Sequence, residues 1–246
     1  IYRALTLSLA MAIKVYVGRE KFEDCTFVTG FHGIGFTGYW SIKYLIQQLK
    51  AERIGFVESV FAPPICTVSS GRIVTPFELY QKGNLVFFKA EVAPPREREY
   101  QFFTQLGEWV TASGFKEACL IGGLDSTLKN DDTTYRIVYT SKYTLPDTLK
   151  DSIVLEDDRL IVGPIAILLN HFEAVGFPAF SILAYAAQNR LDPRACAEAI
   201  TVISRVYNFE VDLKPLIAGA EAIEEALAKP PTKEERGEKA LGTFYS

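Results

Sequence analysis

The chain has 246 residues, 48% of them hydrophobic, a formal net charge of -4 and a pI of about 5.4. That is enough chain for a substantial core, and one large α/β domain serves as well as two small ones. No long basic block or aromatic-interleaved basic stripe occurs, which argues against nucleic acid as a principal partner, and no stretch reaches membrane-spanning length.

Ile1 to Ala10 precede Met11, are too short to span a membrane, and read as an extension before a natural start at Met11. Ile13 to Val17 reads as a strand, and Cys25 to Val28 as a second one ending in a buried layer. Thr29 to Gly38 then carries four glycines, Gly30, Gly33, Gly35 and Gly38, and Trp40, Tyr44, Leu45 and Leu49 follow at helical spacing. A strand thus feeds a helix through glycines, which admit positive φ and close backbone approach. Gly33 to Gly38 spells GxGxxG, and Glu58 closes the apolar run Ile54 to Val57, as in a dinucleotide fingerprint. Tight packing of a helix on its own strand demands the same glycines and is the favoured reading.

Arg53 to Val57 is the next expected strand, and Pro63-Pro64 turns the chain away. Ile65 to Val68 and Ile73 to Thr75, joined by Ser69 to Arg72, read as a hairpin, and Pro76 to Tyr80 as a turn back toward the core. Asn84 to Ala90 reads as a strand, and Arg96 to Ser113 as a helix with Tyr100, Phe103, Leu106, Trp109 and Val110 on its apolar side. Glu117 to Ile121 makes a strand that Gly122-Gly123 is expected to break. Asp125 to Lys150 reads as a surface insertion holding the strand Arg136 to Thr140, with Asp131-Asp132 as a solvated turn rather than a metal site.

Pro164 to Glu173 is apolar nearly all round and reads as a buried helix, followed by the strand Ala179 to Ala184. Asp192-Pro193 opens a helix to about Tyr207, with the acid as N-cap and proline in the first turn. Leu213 to Lys229 reads as a last amphipathic helix, and residues 230–246 as a charged, proline-led tail ending Phe244-Tyr245-Ser246. Strands alternating with helices predict a largely parallel sheet covered on both faces.

Chemistry is sparse. His32, in the glycine loop, is the better of two histidines for proton or phosphate work, whereas His171 sits in an apolar helix as a core or interface residue. Neither GxSxG, HExxH nor a Walker A pattern occurs, so no catalytic residue, metal ligand or cofactor is expected. Cys25, Cys66, Cys119 and Cys196 lack CxxC spacing and read as buried thiols in an intracellular setting, with a disulfide pair among them left open. The Phe244-Tyr245 pair has no local core to enter and points to a partner groove that takes two rings and a carboxylate, the alternative being a tail that folds back on its own domain.

Thr29 to Gly35 with Tyr44-Leu45-Ile46, Phe61 to Pro64, Gly71-Arg72-Ile73 before Pro76 to Tyr80, Gly122-Gly123-Leu124, Gly163-Pro164 and Asp192 to Ala195 recur in an order that resembles the proteasome assembly chaperone family, specifically archaeal homologues of the second assembly chaperone. The resemblance covers about Met11 to Lys229 and implies a three-layer α/β/α sandwich similar to the nucleoside phosphorylase-like fold. It implies one domain over residues 11–229, a homo-oligomer such as a tetramer, a cytoplasmic location and no catalysis. Phe36 departs from the pattern, where smaller residues are usual. Phe244-Tyr245-Ser246 matches the hydrophobic-tyrosine-any-residue motif by which proteasome activators dock between α subunits of the core particle and favour the open gate. The alternative is a nucleotide-binding or phosphorylase-like enzyme using Gly33 to Gly38 and His32.

Overall fold

The structure is a computed structural model that describes residues 12–220. In chain order these form β1 (Ile13–Val17), β2 (Thr26–Gly30), α1 (Thr37–Gln48), β3 (Glu52–Ser59), β4 (Thr67–Ser69), β5 (Arg72–Val74), β6 (Phe77–Lys82) and β7 (Leu85–Ala90). Then come α2 (Arg96–Ala112), β8 (Glu117–Asp125), β9 (Tyr135–Tyr139), α3 (Pro164–Ala174), β10 (Ala179–Ala186) and α4 (Pro193–Tyr207). Residues 214–220 begin the expected last helix. The remainder of that helix, the tail and Phe244-Tyr245-Ser246 lie outside the described residues, as do the first eleven.

The sheet runs β1-β3-β6-β7-β2-β8-β10-β9, with β4 and β5 paired as a separate hairpin. β7, β2, β8 and β10 are parallel and central, while β1, β3, β6 and β9 join antiparallel at the flanks. Period-two alternation sorts the side chains into two cores. Phe27, Val86, Phe88 and Leu120 face α2 and α3, where they meet Phe102, Phe103, Leu106, Val110, Leu168 and Phe172. Val28, Phe87, Cys119, Ile121 and Ile182 face the other way, onto Ile42, Leu45, Ile200 and Ile203 of α1 and α4. Helices on both faces of a mixed sheet bear out the α/β layering, and the central strands are parallel as expected.

Four local expectations are corrected. Phe77–Lys82 is a strand rather than a turn, because Phe77 and Leu79 enter the α2-side core while Gly83 and Asn84 make a tight hairpin to β7. β8 continues through Gly122 and Gly123 to Asp125. Those glycines do not break it but make room, since a Cβ at Gly122 would meet Ile165 at 2.5 Å. The buried stripe of α2 is Phe102, Phe103, Leu106 and Val110, and Tyr100 lies off it, 72% exposed. Only Leu168 and Phe172 of α3 are fully buried, so that helix is half-covered rather than enclosed.

Polar groups fasten the flanks. The guanidinium of Arg136 on β9 is buried over the Tyr185 ring and bonds Asp131 at 2.7 Å, Glu156 at 3.0 Å and Asn130 at 3.2 Å. Asp131 is therefore a partner of a buried arginine as well as a turn residue. Cys25, Cys119 and Cys196 are buried and Cys66 is exposed, all four as free thiols. Burial pushes the Cys196 thiol up to about 12.

Candidate functional site

The C-terminal ends of the parallel strands are where an open α/β sheet ordinarily receives a ligand. Here β2 ends at Gly30, the chain makes a short 3-10 turn over Ile34–Phe36, and α1 starts with Phe36 in the left-handed region. The glycines are used for protein packing. A Cβ at Gly30 would lie 2.6 Å from the Gly38 carbonyl oxygen, and one at Gly38 would strike the Ile121 and Phe31 backbones. Gly35 has φ 64°, and a Cβ there would sit 2.5 Å from that of Ala186. Gly33 is the exception, with open space within 4 Å of the position a Cβ would take.

The amides are occupied too. Thr37 N–H donates to the Ile34 carbonyl, Tyr39 N–H to Phe31 and Asp192 N–H to Gly35. A helix N-terminus binds anions through its free N–H groups, and here the chain's own carbonyls take two of them. The ribose-binding acid of the fingerprint is misplaced as well. Glu58 lies on β3, which β6 and β7 separate from β2, and it accepts a hydrogen bond from the Tyr16 hydroxyl at 2.8 Å. Glycine spelling alone could not reveal that the strand after α1 inserts beyond β7 and β6, paired antiparallel with β6 rather than beside β2.

His32 is half-buried and stacked on Tyr39 with ring centres 4.0 Å apart. Burial lowers its pKa, opposed by Glu91, while Lys43 lowers it further. Tyr39 leads into a polar network that sequence reasoning missed. Its hydroxyl donates to Glu91 at 2.5 Å, and Glu91 pairs with Lys89 at 2.7 Å. Lys89 lies 3.5 Å from the fully buried Glu78, which also receives Arg53 at 3.0 Å and the Tyr80 hydroxyl. Burial works against the Lys89 ammonium, but Glu91 and Glu78 outweigh it and raise the pKa. Burial likewise works against the Glu91 carboxylate, and Lys89 and Tyr39 outweigh it and lower the pKa.

Glu78 and Glu91 are matched by Lys89 and Arg53, with Lys43 donating to the Tyr39 hydroxyl at 3.3 Å, so each buried charge has a partner as burial requires. The network ties α1 to β6 and β7. Part of the signal lies in β7, where Lys89 interrupts an otherwise apolar and fully buried strand, whereas Glu78 shares β6 with Gln81 and Lys82 and does not stand out. On α3, His171 packs edge-on against Gly107 of α2, and its Nε2 is buried with no hydrogen-bond partner. Among the described residues, no group of three or more His, Cys, Asp or Glu side chains converges to hold a metal.

Several solved structures share this architecture. PbaA of Pyrococcus furiosus, described as an archaeal homolog of proteasome-assembly chaperone, superposes with a TM-score of 0.75 at 21% identity, over 87% of this chain and 94% of that one. PbaB of the same organism, described as an archaeal proteasome activator, gives 0.72 at 19% identity, over 89% of this chain and 98% of its own. The protein MJ0106 of Methanocaldococcus jannaschii is 25% identical over 210 residues, 84% of this chain and 85% of that one. The motif order read from the sequence, the shared fold and the match of the PAC2 family profile to residues 27–229 agree: the chain belongs to the PAC2 family.

Proposed function

We propose that the chain is a proteasome assembly chaperone or activator that works without ATP and without a catalytic centre of its own. It docks on the α ring of the core particle through Phe244-Tyr245-Ser246 and favours the open gate. The observation that carries this reading is the α/β/α body it shares with PbaA and PbaB, the second of which is described as an archaeal proteasome activator. The tail motif adds the mode of docking: two rings for an apolar pocket, a phenol for a hydrogen bond and a carboxylate beside them. The body is a homo-oligomer such as a tetramer in the cytoplasm, and several tails on one body raise avidity for a ring without new contacts in each pocket.

The test pairs native mass spectrometry of the chain and core particle with fluorogenic peptide turnover. Tyr245→Ala is expected to keep the fold and the oligomer while weakening α-ring binding by about 2 kcal/mol per site, and stimulation with it. Binding and stimulation that match the unsubstituted chain would remove the tail from the mechanism. Titration with nucleotides, nucleosides and phosphate is expected to give no saturable heat. Gly33→Val, at the one open glycine of the loop, is the control that would expose a nucleotide site if binding were found and then lost.

A further inference from the structure

β1 closes one end of the sheet, and among the described residues no strand pairs with its outer edge. The Ala12 carbonyl accepts from Val60 N–H, which in this register turns the N–H and C=O groups of Lys14 and Tyr16 toward β3 and those of Ile13, Val15 and Val17 outward. The Gln105 side chain of α2 accepts from Ala12 N–H at 2.7 Å and Ile13 N–H at 3.2 Å, so the outward amides without a partner among the described residues are those of Val15 and Val17. Beside this edge runs a groove of about 850 Å³ between β1 and α2, lined chiefly by Ile13, Val15, Tyr16, Tyr100 and Trp109. Lys14 and Glu108 are the charged residues of its wall.

We propose that a second copy of this chain docks here, the two β1 strands pairing antiparallel about a two-fold axis through Val15. The edge and the groove are contiguous, so one occupant must bring both a strand edge and an apolar flank, and this same surface offers both. An axis perpendicular to the sheet sets Ile13 opposite Val17 of the second copy and keeps both apolar rows on the α2 side, so groove meets groove. One base and one acid on each wall make the surface electrostatically neutral to itself. The rings of Tyr100 and Trp109, the aliphatic Ile13 and Val15 and few charges give it the composition of an interface core. An exposed, unblocked edge strand is otherwise a template for uncontrolled pairing. The inference rests on the self-association in the proposed function and is independent of the proteasome reading.

Sedimentation velocity on the full chain at micromolar concentration is expected to give an even multiple of the chain mass. Two variants are expected to halve it. Val15→Pro removes only an outward N–H, as an edge strand tolerates, and Tyr100→Lys/Thr104→Lys charges the helix side of the groove while leaving β1 intact. Amide exchange at Val15 and Val17 is expected to be slow in the assembly and at least tenfold faster in Tyr100→Lys/Thr104→Lys, with circular dichroism unchanged. Should Val15→Pro not fold, the helix variant decides. An unchanged mass in the helix variant would place self-association on another surface and overturn the proposal. A monomeric unsubstituted chain would overturn it together with self-association, leaving α-ring docking to be judged on Tyr245→Ala. Loss of Val15 and Val17 protection in Leu7→Asp at unchanged mass would show that the chain's own first residues occupy the edge, and would also overturn it.

Discussion

The two ends of the sheet are finished differently. At β9 the chain covers its own edge: Ile137 N–H donates to the Ile153 carbonyl at 3.1 Å, Leu155 N–H returns to the Ile137 carbonyl at 2.9 Å, and Arg136 clamps the segments on either side. At β1 the Gln105 side chain bonds the first two amides, and beyond it lies the groove. Nearer that end, the charged network of Lys89, Glu78 and Glu91 holds β6 and β7 to α1 from within. One end is thus secured from outside and the other from inside, and among the described residues the outward amides of Val15 and Val17 meet no strand.

The largest expected effect comes from breaking the internal fastening. Lys89→Met leaves Glu78 and Glu91 without their shared cation, and removal of one member of a buried pair costs about 3 to 5 kcal/mol. Urea denaturation should show this as a lower midpoint. Gly38→Ala drives a methyl into the Ile121 and Phe31 backbones between the two ends and is expected to cost about 3 kcal/mol by the same measurement. Arg136→Met breaks the external clamp, but Asp131 and Glu156 then turn to water, so about 2 kcal/mol is expected. β2, β8 and β10 stand between β7 and β9, so the Lys89 and Arg136 losses should add to within about 0.5 kcal/mol in the double variant. A marked departure from additivity would mean that the ends are coupled.

The smallest effect concerns pH. Burial lowers the His171 pKa below its ordinary value near 6.5, so below that pH the unfolded chain holds more protons than the folded one. Stability is therefore full above about pH 6.5 and declines as the pH falls through the window beneath it. His32 is shifted in the same direction and contributes likewise. His171→Phe should flatten the slope of unfolding free energy between about pH 7 and 5 without abolishing it, since His32 still titrates.

What the sequence disclosed follows from which signals are local. The buried run of β2, the Asp192-Pro193 helix start and the apolar period of α2 depend on neighbours in the chain, and each element stands where periodicity put it. Strand order does not depend on neighbours. Nothing near Glu58 indicates that its strand lies beyond β6 and β7, so the dinucleotide spelling held while its spatial context did not. β6 went unread because its alternation is carried by only Phe77 and Leu79, with the buried Glu78 between them resembling a solvent position. The polar network stayed hidden for the same reason, since a strand charge reads as exposed until its partners from other elements are known. The tail motif was read entirely from the sequence, and its role rests on the experiments proposed for it.

Cys66 is exposed just ahead of the β4–β5 hairpin, whereas the chain's other three thiols are buried. Thiolate chemistry follows access, so a maleimide should modify this position selectively in the native protein. Because Cys66 does not line the groove beside β1, a dye there leaves the proposed pairing surface untouched. Its anisotropy would then follow the tumbling of the whole particle, giving a single-site optical handle for watching copies join or a ring capture the body, in a chain that needs no engineered cysteine.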